Sequence, residues 1–220
     1  LNQGTGEAGM WLLDPVDVKI TNANPSFGGG TVVPGASWAW TPNQLNSSVF
    51  VGDINNSLAA GNNVTITTAG SATDNTGAIV DQPGDITVAA NITAAGSGNL
   101  TLSADGGISV SNPIQIEGNV TLQAGSGSVA LASGISTTAG DISITAGTSV
   151  RGGGNLSANL GSISINSKKD TDNIGISLSG VITANNGSVS LSSGNAGDIS
   201  IGGTLSADTL NITAGVDDQD

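Results

Sequence analysis

Aromatic side chains are rare in this sequence, and most of them fall in one short stretch. Four of the five aromatic residues lie between positions 21 and 53, namely Phe27, Trp38, Trp40 and Phe50. Trp38 and Trp40 are two positions apart, so in an extended strand both side chains project from the same face. Flat aromatic faces stack on sugar rings, and aromatic clusters in irregular segments often mark binding sites. These four residues therefore form a candidate recognition platform.

The same stretch also has a structural interpretation. Pro25, Pro34 and Pro42 exclude it from the central strands of a sheet, because proline has no N–H to donate to the ladder. An excursion from a sheet needs a small core of its own, and tryptophan supplies a large buried area. We therefore expect residues 21–53 to form a loop or hairpin, with its aromatic residues serving either as a brace or as a recognition surface.

Most of the remaining sequence repeats one short template. It reads as a small polar residue, an aliphatic residue, Ser or Thr, a second aliphatic residue, and then small residues with Gly. Copies begin at Asn63, Asp85, Asn99, Asn119, Asp141, Ser162, Ser188 and Thr209. Their starts are 22, 14, 20, 22, 21, 26 and 21 residues apart, a period of about twenty-one. The strict alternation of apolar and polar residues predicts strands with one buried face.

Nearly equivalent repeats of this length favour a parallel β-helix over a β-sandwich. In a β-helix each repeat forms one coil and stacks on the previous coil. A sandwich needs a more varied core, whereas only 2% of these residues are aromatic. No stretch shows a helical period of useful length, so no α-helix is predicted. We expect an all-β solenoid with one extra-helical excursion: a first coil at 1–20, the excursion at 21–53, and coils of about 21 residues at 54–220.

Three segments resemble a known family of bacterial surface proteins. They are "GEAGMWLLDPVDVKI" at 6–20, "INNSLAAGNNVTITTAG" at 54–70 and "GDITVAANI" at 84–92, of which "WLLDP" is the most specific. The chain resembles the filamentous haemagglutinin-like exoproteins of Gram-negative bacteria, which include the high-molecular-weight adhesins. The resemblance implies a right-handed β-helix, two-partner (type V) secretion through an outer-membrane transporter, and a secreted, cell-surface location.

The function that follows from the resemblance is adhesion. We expect a rigid rod that attaches to host cells, other cells or matrix polysaccharide through a receptor that the sequence does not name. Two alternatives stay open. One is a passive stalk or secretion scaffold, and the other is a polysaccharide-active β-helix enzyme. Open ends of a β-helix expose strand edges, so end-to-end self-association is also expected.

The composition argues against several other functions. Only four Lys and Arg residues stand against a formal net charge of -13, so no nucleic-acid partner is expected. No apolar run approaches the ~20 residues of a membrane helix, so no membrane insertion is expected. His, Cys and Tyr are missing from the sequence. Asp85 and Asp141 begin template copies and Asp198 begins a shorter strand between copies, positions that are typical of turn residues. We therefore predict no enzyme activity, no catalytic residue, no cofactor and no metal site.

The sequence also contains nine N-x-S/T sequons. Some adhesins of the type that the chain resembles are glycosylated at such sites. The template itself generates sequons, however, because Asn suits a corner and Ser or Thr follows two positions later. The outward Ser and Thr residues of the copies are interpreted as a solvated sheet face. The candidate glycosylation sites are Asn46, Asn55, Asn63, Asn91, Asn99, Asn119, Asn155, Asn186 and Asn211.

Overall fold

A computed structural model describes residues 10–11, 17–23, 46–68, 71–73, 79–81, 83–168, 172–194 and 197–215. In chain order, its elements are β1 (Met10–Trp11), β2 (Asp17–Thr21), β3 (Asn46–Phe50), α1 (Val51–Ala59), β4 (Asn63–Thr67), β5 (Ser71–Thr73), β6 (Ile79–Asp81), β7 (Ile86–Val88), β8 (Ile92–Ala94), β9 (Leu100–Ala104), β10 (Ile108–Val110), β11 (Ile114–Ile116), β12 (Val120–Ala124), β13 (Val129–Leu131), β14 (Ile135–Thr137), β15 (Ile142–Ala146), β16 (Val150–Gly152), β17 (Leu156–Ala158), β18 (Ile163–Ser167), β19 (Ile174–Leu178), β20 (Ile182–Ser193), β21 (Asp198–Ile201) and β22 (Leu205–Thr213).

These strands stack into a parallel β-solenoid of about six turns, which confirms the predicted fold class. Apart from the coil that contains α1, each coil contributes a strand or half of a long strand to each of three stacks, which we call faces A, B and C. Face A runs β1, β4, β9, β12, β15, β18 and the second halves of β20 and β22. Face B runs β8, β11, β14, β17 and the first halves of β20 and β22. Face C runs β3, β2, β7, β10, β13, β16, β19 and β21. Every pairing between the described strands is parallel except the hairpin β5–β6.

The core is a column of stacked aliphatic side chains. On face A, Val120 pairs with Leu100 in the coil before it and with Ile142 in the coil after it. All three side chains are fully buried, while the residues between the inward positions face solvent. Equivalent apolar residues thus lie one strand spacing apart, about 4.8 Å, along the solenoid axis.

Glycine columns line the corners, because the coils stack there backbone on backbone. Between faces B and A the column contains Gly98, Gly118, Gly140, Gly161 and Gly187. A Cβ atom on Gly140 would overlap the backbone of Gly118, and one on Gly161 would overlap that of Gly140. The corner therefore needs glycine for close approach rather than for an unusual backbone angle.

The prediction that the chain contains no helix is wrong at Val51–Ala59. This helix, α1, buries Val51, Ile54 and Leu58 on one side and contacts β4 and β8. It lies between a face C strand and a face A strand, so it takes the place of a face B strand. The helical period is present but rests on three apolar positions, which is too short a pattern to recognise. Asp53 lies in its first turn, and partial burial raises the pKa of that carboxyl above its ordinary value.

The template copy at Asp85 does not belong to the same stack as its neighbours. Its strand, β7, lies on face C, and Val64 of face A pairs directly with Leu100. The corresponding coil spans 36 residues from Asn63 to Asn99, because the hairpin β5–β6 is inserted between β4 and β7. Thr87 consequently lies in the outward row of face C. The same strand template serves both faces, so the sequence alone could not assign the copy.

The described parts of the segment 21–53 lie at its two ends. Strand β2 continues to Thr21, and β3 lies parallel beside it with Ile20 opposite Val49. Residues 51–53 begin α1. Residues 24–45, with Phe27, Trp38 and Trp40, lie outside the described residues.

Candidate functional site: polar ladders and a groove on face A

Phe50 is the one member of the predicted aromatic platform that lies within the described residues. It ends β3, precedes α1 and is half-buried, and its ring lies over the backbone of Gly52, where a Cβ atom would overlap it. Phe27, Trp38 and Trp40 cannot be placed relative to it, so the platform stays a prediction.

The sequon asparagines before the face A strands form a hydrogen-bonded ladder. Asn119 Oδ1 accepts from the backbone N–H of Asp141 at 2.8 Å, and Asn99 Oδ1 accepts from that of Asn119 at 2.8 Å. Asp141 Oδ1 continues the series by accepting from Ser162 N at 2.7 Å. We call this row the corner ladder, and its members are Asn63, Asn99, Asn119, Asp141, Ser162 and Ser188.

Each rung of the corner ladder joins one coil to the next through a side-chain oxygen. The acceptor changes from amide to carboxylate to hydroxyl, yet the donor is always the backbone N–H of the equivalent residue in the next coil. Backbone donors at a corner have no sheet partner of their own, so this arrangement satisfies them. The ladder therefore makes the coils continuous at the corner as well as in the sheets.

Other sequon asparagines also take part in the fold. Asn155 Oδ1 accepts from Val181 N at 2.8 Å, and Asn55 Oδ1 fastens α1 to β8 through Thr93 N at 3.0 Å. Asn91 Oδ1 accepts from Asn112 Nδ2 at 3.0 Å, while Asn186 Nδ2 donates to Asn159 O. Asn211 is exposed, and the side chain of Asn46 lies outside the described residues. Asn55, Asn91, Asn155 and Asn186 thus take part in the fold, and glycosylation of the sequons stays a prediction.

The carboxylates at strand starts perform the same task on face C. Asp17 Oδ1 accepts from Asp85 N at 2.8 Å, and Asp85 Oδ1 accepts from Gly107 N at 2.7 Å. Asp85 and Asp141 therefore each join one coil to the next through a side-chain oxygen, whereas Asp198 is the first residue of β21. Among the described residues, no group of three or more His, Cys, Asp or Glu side chains is placed to hold a metal ion. Within the same residues, none of the helices has the length and hydropathy of a membrane span.

Face A presents two outward rows of uncharged polar side chains. The first row contains Thr65, Thr101, Thr121, Ser143, Ser164, Ser190 and Asn211. The second row contains Thr67, Ser103, Gln123, Thr145, Asn166, Ser192 and Thr213. Their hydroxyl and amide groups repeat at the strand spacing of about 4.8 Å.

A groove of about 310 Å³ runs beside the second row, and we call it the face A groove. Ser103, Gln123 and Thr145 line it from three successive coils, and Lys168 lines it in the fourth. The rest of its lining is small, consisting of Ala104, Ala124, Gly125, Ala146 and Gly147. Gly147 stacks on Gly125 so closely that a Cβ atom would overlap the Gly125 carbonyl oxygen. Backbone stacking therefore keeps this side of the groove free of bulky side chains.

The groove offers binding chemistry without an acid–base pair. Its lining contains hydroxyl, amide and ammonium groups and no carboxylate, whereas glycoside hydrolysis typically needs two carboxyl groups. Four coils span three strand spacings, roughly 14 Å along the axis. A ligand for this lining would be extended and rich in hydroxyl groups. A second groove, of about 280 Å³, lies on face C along Thr87, Ser109 and Ala130.

The sequence did not predict the face A groove, although every residue that lines it belongs to the recognised repeats or follows them directly. The second outward position of the longer strands holds Ser103, Gln123 and Thr145, which differ in type and so give no motif. Only the pairing register shows that they lie in one row.

Comparison with known proteins adds no relative. No protein-family model matches the chain, and neither a curated protein nor a solved structure does. The resemblance to haemagglutinin-like exoproteins therefore rests on the three quoted segments and on the solenoid architecture.

Proposed function

We propose that this chain is a rod segment of a large secreted bacterial surface adhesin that attaches to matrix or cell-surface polysaccharide. The face A groove is the observation that carries the proposal. It repeats hydrogen-bonding groups along the rod, as an extended sugar polymer repeats its hydroxyl groups. Attachment to host cells or to other cells would then proceed through their surface glycans.

The stacked coils support the mechanical part of the proposal. The corner ladder and the parallel strand stacks of faces A, B and C join each coil to the next by hydrogen bonds on every side. Such a rod can hold a binding surface away from a cell envelope without bending at a linker. Coils that need only their neighbours can also fold in sequence after export, which suits passage through an outer-membrane two-partner transporter.

The chemistry of the face A groove favours a neutral, hydroxyl-rich polymer. The protein carries a formal net charge of -13, so a polyanionic chain would be repelled at a distance. Lys168 is exposed and can donate to a hydroxyl group without requiring an anion. Three uncharged side chains from successive coils supply further donors and acceptors.

The test uses a triple variant that removes polar groups with little change of shape. Ser103→Ala, Gln123→Met and Thr145→Val together strip the face A groove of side-chain hydrogen bonding in three coils. The control variant can be matched residue type by residue type. Face B presents Thr93, Gln115 and Ser136 in one outward row on β8, β11 and β14. Thr93→Val, Gln115→Met and Ser136→Ala make the same chemical changes on another face.

We expect the unmodified chain and the face B variant to bind the same neutral polysaccharide in a glycan panel. The face A variant should lose that binding while its circular dichroism spectrum stays unchanged. Equal binding by all three proteins would show that the face A groove is not the site.

The second candidate function is a passive stalk. It is favoured by the number of polar side chains that are engaged in holding coils together, such as Asn99, Asn119 and Asp141. A folded chain that binds no glycan and no cell surface would support this function. Release of shortened sugar products from a bound polysaccharide would instead support an enzyme.

A further inference from the structure

Face A differs from the other two faces of the solenoid in the width of its polar surface. Its strands β9, β12, β15 and β18 are five residues long, so each presents two outward side chains. The face B strands β8, β11, β14 and β17 are three residues long and present one. The outward row of face C contains Lys19 and Arg151. Among the described residues, face A is therefore the face with two adjacent rows of uncharged polar side chains.

These two rows do not hold the coils together through their side chains. In the corner ladder, Asn119 Oδ1 and Asp141 Oδ1 each accept from a backbone N–H of the next coil. Between described residues, by contrast, no side-chain hydrogen bond involves the hydroxyls of Thr101, Thr121 or Ser143, which are half-buried and point outward. Their hydroxyl groups can therefore bond to a ligand without breaking a bond between coils.

The face A groove uses only the second of the two rows. Ser103, Gln123 and Thr145 line it on one side, and the stacked Gly125 and Gly147 line it on the other. The first row lies across the second row from the groove, roughly 6.6 Å away, and contributes no described residue to its lining. A single extended chain in the groove would thus leave the first row uncovered.

The first row is a straight line of short hydroxyl side chains in the same coils as the groove. From β4 to β18 the face A strands pair without a shift in register. Thr101, Thr121, Ser143 and Ser164 consequently repeat a hydroxyl group at about 4.8 Å along the axis. The first row and the groove are therefore parallel, lie side by side and offer similar chemistry.

We propose that face A binds two neighbouring parallel chains of a packed neutral polysaccharide, one in the groove along the second row and one along the first row. The inference rests on the proposed function and deepens it, because it names the form of the polymer. The ligand is a solid or bundle in which chains lie side by side, rather than one dissolved chain. Two contacts on one rigid face raise the affinity for a ligand that reaches both of them.

The test compares packed and dissolved forms of the same polymer. Microcrystalline cellulose and chitin are the packed probes, and their soluble oligosaccharides are the single-chain probes. The first-row variant combines Thr101→Val, Thr121→Val and Ser143→Ala, which remove three hydroxyl groups with little change of shape. It leaves the lining of the face A groove intact.

The matched control makes the same three changes on face B. Thr93→Val, Ser136→Ala and Thr183→Val lie in one outward row on β8, β14 and β20. Thr93, like Thr101 and Thr121, completes a sequon, so mass spectrometry must show that none of the proteins carries a sugar. Circular dichroism must show that all of them keep their β-structure.

The unmodified chain and the face B control should bind a packed polymer more than about tenfold more tightly than its soluble oligosaccharide. The first-row variant should lose most of this preference and still bind the oligosaccharide through the groove. The variant with Ser103→Ala, Gln123→Met and Thr145→Val should lose both kinds of binding.

Three other results would overturn the inference. Binding of soluble neutral glycans without a preference for the packed polymer, or a preference that the first-row variant retains, would do so and leave the proposed function standing. Self-association of the unmodified chain that the first-row variant abolishes in sedimentation would assign the first row to a contact between copies. A folded chain that binds no glycan in either form would overturn the proposed function as well.

Discussion

The corner ladder makes a prediction that separates a structural asparagine from a glycosylated one. Asn119 Oδ1 accepts from Asp141 N at 2.8 Å, and this bond joins two consecutive coils in the middle of the solenoid. Asn119→Ala leaves that N–H without a protein acceptor and also destroys the sequon. Because the site is exposed, water can replace part of the lost bond.

Asn119→Ala should lower the free energy of unfolding by about 1 kcal/mol, the net contribution of one hydrogen bond. For a chain of this length, about 1 kcal/mol corresponds to a fall in Tm of about 2–4 °C. Asn119→Ser should cost less than about 0.5 kcal/mol, since hydroxyls also serve in this ladder. Ser162 Oγ accepts from Ser188 N at 3.1 Å in the same row.

Thr121→Val is the control for loss of the sequon. It removes the same sequon but leaves the Asn119 side chain in place and keeps a β-branched residue on the strand. The free energy of unfolding should therefore change by less than about 0.5 kcal/mol. The measurement is thermal and urea unfolding of all four proteins, followed by circular dichroism. If the alanine, serine and valine variants lost equal stability, the loss would follow the sequon and the ladder argument would be refuted.

Two further pairs of variants test the column and its corners. Ile142→Ala, at a fully buried position, should lower the free energy of unfolding by about 2–5 kcal/mol in urea unfolding. Ile212→Ala, at a position 49% exposed, should lower it by less than about 1 kcal/mol, and equal losses would contradict the dependence on burial. Gly140→Ala should destabilise by about 1–3 kcal/mol, because its Cβ overlaps the backbone of Gly118. Gly153→Ala is the control, because an added Cβ there would lie near one atom, the Ser179 hydroxyl oxygen at 3.2 Å. If Gly140→Ala and Gly153→Ala lowered the free energy of unfolding equally, the close backbone stacking at the corner would be contradicted.

The coil architecture was predictable from sequence because each strand is specified by a local alternation of apolar and polar residues, and that alternation repeats in every coil. Alternating residues such as Ile142, Ser143 and Ile144 identify the buried face of one strand, and the period places the same pattern in the next coil. Asn and Gly before each copy mark the corners. What the period could not supply is the identity of the face, because strands of faces A and C share one template. The period groups the copy at Asp85 with the face A copies, whereas its strand lies on face C.

The helix and the groove escaped prediction for different reasons. Helix α1 depends on three apolar positions and on the β8 surface beneath it, so its stability comes from packing that the local sequence does not reveal. The face A groove depends on register, which brings Ser103, Gln123 and Thr145 together although they are separated by whole coils. Neither the helix nor the groove is encoded in a motif.

Attachment under flow tests the central claim most directly. Beads coated with the unmodified chain, the face A variant and the face B variant would be passed over a surface of the polysaccharide found in the panel and over intact cells. Our account predicts that beads with the unmodified chain and the face B variant attach, and that beads with the folded face A variant wash away. Equal attachment of all three would contradict the face A site, and failure of the unmodified chain to attach would make this segment a stalk.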